Sequence, residues 1–242
     1  MQILMSRMRA AMQKYDMVHD GDCIAVGVSG GKDSLAMLYA LSEMRRFYPA
    51  KYTLHALSID PQFGGRPCDY SQIERLCERL DVPFTLKRTQ LYDIIFNQRN
   101  EQNPCSLCAR MRRGLLHDEA KRLGCNKLAL GHHLDDAVVT FYMNLLNGGS
   151  IACFSPVSYL SRKDLHLIRP MVFATEREVE RAANRLQLPV IKSSCPADGV
   201  TERQRVKQLI DSLERQSGYS SLYQKTLGAM QRAHIDGWGT DQ

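Results

Sequence analysis

Two stretches of this 242-residue chain combine residue types at spacings that suit chemistry: Ser29-Gly30-Gly31-Lys32-Asp33-Ser34 and Cys105-Ser106-Leu107-Cys108. In the first, two glycines let the backbone turn tightly and aim its amides inward. Lys32 adds a full charge, and Ser29 and Ser34 add hydroxyl donors. A helix opening at this point would add the partial positive charge of its N-terminus, so the stretch suits a phosphate. It is neither G-x-x-x-x-G-K-S/T nor G-x-G-x-x-G. A plain turn with a capping serine is the bland alternative, and the strand before and helix after it argue against that. In the second stretch, thiols at i and i+3 share one side of a helical turn. A helix start and the neighbouring Arg110, Arg112 and Arg113 would draw them toward thiolate. A phosphate loop and a paired-thiol site on one chain suggest that ATP activates an oxygen and that sulfur replaces it.

The paired thiols fit three kinds of centre. Zinc needs four ligands, and the chain has no second CxxC. A redox dithiol is a second reading, but the surrounding pattern is not that of thioredoxin. An iron–sulfur cluster held by three thiolates leaves one iron open, where a hydrosulfide would bind. The third thiol must come from elsewhere among the eight cysteines. Cys23, Cys77 and Cys125 fall on apolar strand or helix positions, where a free cysteine is commonly a small buried hydrophobe. Cys68 and Cys153 have less defined surroundings. Cys195 lies in a loop, Ser193-Ser194-Cys195-Pro196, better placed to reach a site. Asp135 and Asp136 open a predicted helix, where acidic residues are mildly stabilising, but a carboxylate beside a phosphate cradle also suits Mg²⁺. Asp60 precedes Pro61 at a strand end, a turn signal or a ligand contact. Arg177, Arg181 and Arg185 recur every four residues, and Arg203, Arg205 and Lys207 lie together; both groups read equally as solvated faces or phosphate contacts.

Positioning these residues needs alternating strands and helices. Cys23–Val28, Tyr52–Ile59, Pro83–Lys87 and Lys127–Leu130 read as strands. Ser34–Phe47, Tyr70–Leu80, Cys108–Leu123 and His133–Leu146 read as helices. This alternation predicts an α/β, Rossmann-like parallel sheet with ligands at the carboxyl ends of its strands. The Gly-rich loop, Asp60 and Gly131-His132-His133 all fall at such ends. From Gly148 to Pro170 the pattern loosens, and after Thr175 it is helical over Glu176–Leu188, Thr201–Leu213 and Tyr219–His234. The organisation expected is an N-terminal helix (1–20), a core carrying the CxxC (21–175) and a helical C-terminal extension contributing Cys195 (176–242).

A formal charge of +6 modestly favours a polyanionic partner. No apolar run is long enough to span a bilayer, and no membrane partner is expected. Residues 1–20 lack a signal-peptide pattern, so the compartment expected is the cytoplasm, where cysteines are free, metal-bound or catalytic. The amphipathic N-terminal helix leaves a homodimer open.

The hexapeptide at 29–34 matches the SGGxDS pattern of the PP-loop ATP pyrophosphatases, with an adenine nucleotide alpha hydrolase-like fold. More specifically, the chain resembles the tRNA 2-thiocytidine synthetase family from its N-terminal helix to about Lys207. The likeness lies in SGGKDS, in Cys105-Ser-Leu-Cys-Ala-Arg-Met-Arg-Arg-Gly114, in Leu130-Gly-His-His-Leu-Asp-Asp136 and in Ile168-Arg169-Pro170. The resemblance implies ATP-dependent tRNA thiolation, in which a base carbonyl (C2 of cytidine) is adenylated and its oxygen replaced by sulfur, forming AMP and pyrophosphate. It implies ATP and Mg²⁺ held by Ser29, Gly30, Gly31, Lys32, Asp33, Ser34, Asp60, Gly131 and His132. It implies catalytic roles for Lys32, Arg112 and Asp135, and a 4Fe-4S cluster on Cys105, Cys108 and Cys195. tRNA and a sulfur donor, sulfide or a cysteine desulfurase, would be the partners. Where family members usually carry a second CxxC, this chain has Cys195-Pro196-Ala197-Asp198. Two other readings fit the residues: a PP-loop thiolase using a persulfide on Cys105 or Cys108 without a cluster, and a nucleotide-binding redox protein that binds RNA without modifying it.

Overall fold

The computed structural model describes residues 1–98, 104–191, 201–216 and 219–239, with only the backbone at Cys105. Its centre is a six-stranded sheet in the order β3-β2-β1-β4-β6-β5. The strands are β1 (Asp22–Gly27), β2 (Tyr52–Asp60), β3 (Phe84–Arg88), β4 (Lys127–Ala129), β5 (Val157–Leu160) and β6 (Leu165–Ile168). Neighbours pair in parallel except β5 and β6, which are antiparallel. The continuous apolar runs of the central strands match a sheet covered on both faces. Ile24 and Val26 of β1 enter one core, with α1 (Gln2–Lys14), α2 (Lys32–Met44) and α5 (Leu134–Gly148). Ala25 points the other way, into a smaller core with Ala120 of α4 (Pro104–Arg122).

The strand order reverses direction between β1 and β4. Connections from β1 run outward to β2 on one side, and β4 lies on the other. The loops leaving the carboxyl ends of β1 and β4 therefore splay apart and leave a crevice, the usual ligand site of such sheets. The glycine loop follows β1, and Gly131-His132 follows β4.

One departure from the sequence reading has a local cause. The loosened stretch after Gly148 contains the β5–β6 hairpin at the sheet edge; each strand has only four residues, and the turn between them is polar, with Asp164 at φ 45°. A four-residue strand shows too little alternation to read. The apolar face of α1, which left dimerisation open, is buried within this chain through Leu4, Met8, Ala11 and Met12. The C-terminal helices α6 (Glu176–Arg185), α7 (Glu202–Glu214) and α8 (Leu222–Arg232) share the main core through Val179, Val206, Ile210 and Met230. Trp238 closes that core, donating from Nε1 to the Phe154 carbonyl at 2.8 Å. No helix among the described residues is long and apolar enough to cross a membrane.

Candidate functional site

The glycine loop is tied into one shape by its own serines. The Ser29 amide donates to Ser34 Oγ at 3.1 Å, the Gly31 amide to Ser29 Oγ at 3.3 Å, and Ser34 Oγ donates to the Gly31 carbonyl at 3.0 Å. Gly30 takes φ +87°, a region side chains rarely enter. A Cβ on Gly131 would stand 3.3 Å from the Ser34 amide nitrogen, so that glycine lets the β4–α5 loop press against the first turn of α2. A side chain at either position would disturb the cradle, and this backbone, amides at a helix N-terminus beside a lysine, fits a triphosphate. Lys32 Nζ lies 3.0 Å from Asp33 Oδ1 and 3.2 Å from Glu176 Oε1. Burial opposes its charge, but the two carboxylates outweigh burial and raise its pKa. Glu176 also receives Lys207; burial works to raise its carboxyl pKa, and the two lysines hold it below the ordinary value.

A cavity of about 230 Å³ opens beside the loop, walled by Ser29, Asp33, Ser34, Ile59, Gly131 and Arg112, among others. A larger one, about 800 Å³, adjoins it, and the two share Arg112, Leu116, Leu130 and His132. The larger cavity is lined by Arg110, Arg112, Arg113, Arg169 and Arg203 and by no carboxylate among the described residues. Charge of one sign in a low-dielectric cleft favours an anionic ligand.

The paired cysteines occupy the first turn of α4, which begins at Pro104. Cys108 packs against the small apolar cluster of Ile59, Leu91, Ile95 and Leu107, and Ile59 also belongs to the smaller cavity's wall. Arg112 follows one helical turn later. Cys195 lies outside the described residues, as does the side chain of Cys105. The other cysteines behave as packing residues or buried thiols. Burial pushes Cys77, Cys125 and Cys153 up to about 12, far from thiolate.

Other expected residues are placed differently from one another. Asp60 is 1% exposed and both its carboxylate oxygens accept backbone amides, from Gln62 at 2.9 Å and Cys68 at 3.0 Å. It shapes the loop after β2. Asp135 accepts the Glu176 amide at 2.8 Å and lines neither cavity, so it joins α5 to the start of α6. Asp136 accepts the His133 amide at 3.0 Å and pairs with Arg203 at 3.1 Å. Asp33 is the carboxylate on the wall of the smaller cavity. Arg177, Arg181 and Arg185 are exposed along α6 with no ion pair among the described residues, whereas Arg203, also exposed, pairs with Asp136, and half-buried Lys207 pairs with Glu176. Sequence reading gave no role to Glu176, His117 or Phe154. Glu176 looked like an ordinary first-turn acid, and its partner Lys32 is 144 positions away.

Over residues 3–213 the sequence matches the PP-loop domain family. A tRNA-cytidine(32) 2-sulfurtransferase from Geobacter sulfurreducens is 40% identical over 210 residues, which cover 86% of this chain and 81% of that protein. One from Syntrophotalea carbinolica is 38% identical, covering 93% of this chain and 88% of that protein. Among solved structures, the U34-tRNA thiolase NcsA from Methanococcus maripaludis, with its 4Fe-4S cluster, is similar with a TM-score of 0.72 and 26% identity, covering 92% of this chain and 78% of that one.

Proposed function

The chain belongs to the PP-loop domain family, among the tRNA-cytidine(32) 2-sulfurtransferases, and from that membership we propose that it is an ATP-dependent tRNA thiolase acting at C2 of a cytidine. The observation that carries the reading is the shared wall: a phosphate cradle and an arginine-lined cavity meet at Arg112, one turn beyond Cys108. A nucleotide on one side and a base on the other would meet at that wall.

The amides of residues 29–34 would hold the phosphates, and Asp33, on the wall of the smaller cavity, would be the carboxylate for a Mg²⁺ ion. The cytosine O2 attacks the α-phosphorus, the α–β bond breaks, and pyrophosphate leaves. Lys32 lies in the loop that would hold this leaving group, its charge secured by Asp33 and Glu176. Arg112 lines both cavities and would offset the charge that develops at the reacting phosphorus. A sulfide-level sulfur then bonds to C2 and the former carbonyl oxygen departs with AMP. The net exchange converts C=O, ATP and hydrosulfide into C=S, AMP and pyrophosphate.

Cys105, Cys108 and Cys195 would hold a 4Fe-4S cluster, which supplies an iron able to carry sulfide when bound. Support comes from the chain's own tether. The Ile191 amide donates to the Gly30 carbonyl at 2.9 Å, so the backbone four residues before Cys195 is fastened to the glycine loop. Four extended residues reach at most about 14 Å. The last described residue before that segment thus starts at the glycine loop, while Cys195 itself lies outside the described residues.

Anaerobically reconstituted protein incubated with ATP, sulfide and bulk tRNA should yield 2-thiocytidine by nucleoside mass spectrometry. AMP production without a thiolated nucleoside would overturn the reading. Replacing all three cysteines by alanine should abolish bound iron and thiolation together. Full thiolation by an iron-free preparation would overturn the cluster, and thiolation that needs a cysteine desulfurase, which delivers sulfane-level sulfur, in place of sulfide would favour a persulfide on Cys105 or Cys108.

A further inference from the structure

Four buried side-chain atoms lack a hydrogen-bond partner among the described residues, and three of them, His117 Nε2, His132 Nδ1 and Arg169 Nε, belong to residues lining the 800 Å³ cavity. A buried polar group without a partner is expensive enough that native structures rarely keep one. Three around one cavity point to a ligand with a polar edge.

Arg169 is the most constrained of them. It follows the carboxyl end of β6 and is 7% exposed. Its Nη1 donates to the Ser155 carbonyl at 2.5 Å, and its guanidinium carbon lies 4.9 Å from the centre of the Phe154 ring. None of its atoms meets a carboxylate among the described residues. A structural arginine at this depth would normally be paired. The His132 ring packs on the same Phe154, centroids 5.0 Å apart. Burial lowers its pKa to about 4, so it stands neutral at pH 7 with one donor and one acceptor nitrogen.

We propose that Arg169 binds the acceptor edge of a pyrimidine in this cavity and selects cytosine over uracil, an inference that rests on the thiolase reading only for the source of the base. Arginine offers donors alone. Cytosine presents two adjacent acceptors, O2 and N3. Uracil carries N3–H at the second position, which would oppose a guanidinium N–H and leave both buried groups unpaired. Neutral His132 has an acceptor for the exocyclic amine of cytosine, which uracil lacks.

The test is calorimetric titration of the full chain, with a non-hydrolysable ATP analogue present, by cytidine 5′-monophosphate and uridine 5′-monophosphate. The wild type should bind the cytidine nucleotide at least tenfold more tightly. Arg169→Gln should weaken that binding at least tenfold and change uridine binding little, so the preference collapses. Arg169→Lys keeps the charge without the planar fork and should restore only part of it. Thermal midpoints and analogue affinity establish that each variant is folded, and either variant alone suffices. An unchanged cytidine-to-uridine ratio in a folded variant overturns the proposal, as does a wild type that does not bind the cytidine nucleotide. If the preference depends on Arg169 but tRNA is never thiolated, the base site stands and the thiolase reading fails.

Discussion

At the amino ends of β1 and β4, Asp22 and Lys127 are each 5% exposed and meet at 2.8 Å, whereas at the carboxyl ends of β4 and β6 His132 and Arg169 bury atoms that meet nothing described. The first pair is fully enclosed by partners. Asp22 also accepts the His19 amide at 2.6 Å and the Asn126 side chain at 2.7 Å, and Lys127 donates to the Met17 carbonyl at 2.8 Å. Burial works against the Asp22 charge, and the His19 amide, Lys127 and Asn126 outweigh it, so its pKa is lowered. The other end gathers five arginines with one carboxylate contact among the described residues, from Asp136 to Arg203. One end uses buried polarity to fix the strands, and the other holds it ready for a ligand. The same sheet thus separates stability from function by about the length of its strands.

That separation breaks if a change at one end produces the other end's effect. The largest expected effect is at the closed end. Asp22→Ala leaves the Lys127 ammonium buried without its counter-ion and should cost about 3–5 kcal/mol of stability. Urea unfolding should show it, while affinity for an ATP analogue in the folded protein stays at the wild-type value. A matching loss of nucleotide affinity would show that the two ends are coupled. Lys32→Ala tests the converse. Glu176 keeps Lys207, and Asp33, which loses its ion pair, has a third of its side chain in solvent. Pyrophosphate release should fall about 10²–10³-fold, about 2.7–4 kcal/mol of transition-state stabilisation, with the unfolding midpoint little changed.

Gly131→Ala probes the boundary between the two roles. Its Cβ would stand 3.3 Å from the Ser34 nitrogen and 3.4 Å from the Ser34 Cα, both backbone atoms of the cradle. The first turn of α2 must shift, so affinity for the ATP analogue should fall about tenfold, about 1.4 kcal/mol. This glycine also marks what the sequence made legible. Ser29–Ser34 and Gly131-His132 could be placed at strand ends because β1 and β4 are continuous apolar runs, and parallel strands put such ends on one side. The Cys105–Cys108 pair was readable because its spacing is local. Long-range pairings were not: Lys32 with Glu176, Ile191 with Gly30, and Arg203 with Asp136 depend on how the helices fold back over the sheet. Asp135 illustrates the difference. Its position at a helix start was legible, but its attachment to the α6 amide was not, because that contact spans 41 positions. The β5–β6 hairpin escaped notice for a related reason, since its strands are too short to carry a period.

The smallest expected effect is a pH dependence, and it follows from the open end alone. Burial lowers the His132 pKa from 6.5 to about 4. Between those values the unfolded chain binds a proton at this histidine that the native protein does not. The stabilising contribution is therefore complete above pH 6.5 and declines as the pH falls toward 4. Burial lowers His55 and His117 in the same direction, while Asp135 and Asp136 outweigh burial to raise His133, which opposes them. The difference between wild type and His132→Gln isolates the one residue. The variant should lose less stability than wild type between pH 7 and pH 4.5, as read from urea midpoints at several pH values. Parallel profiles would mean that His132 takes up its proton in the folded state as readily as in the unfolded one. The imidazole would then be charged below pH 6.5, and the neutral acceptor assigned to the cytosine amine would be lost there. A cytidine affinity that falls with pH in step with the stability difference would instead tie the orphaned nitrogen to the ligand it awaits.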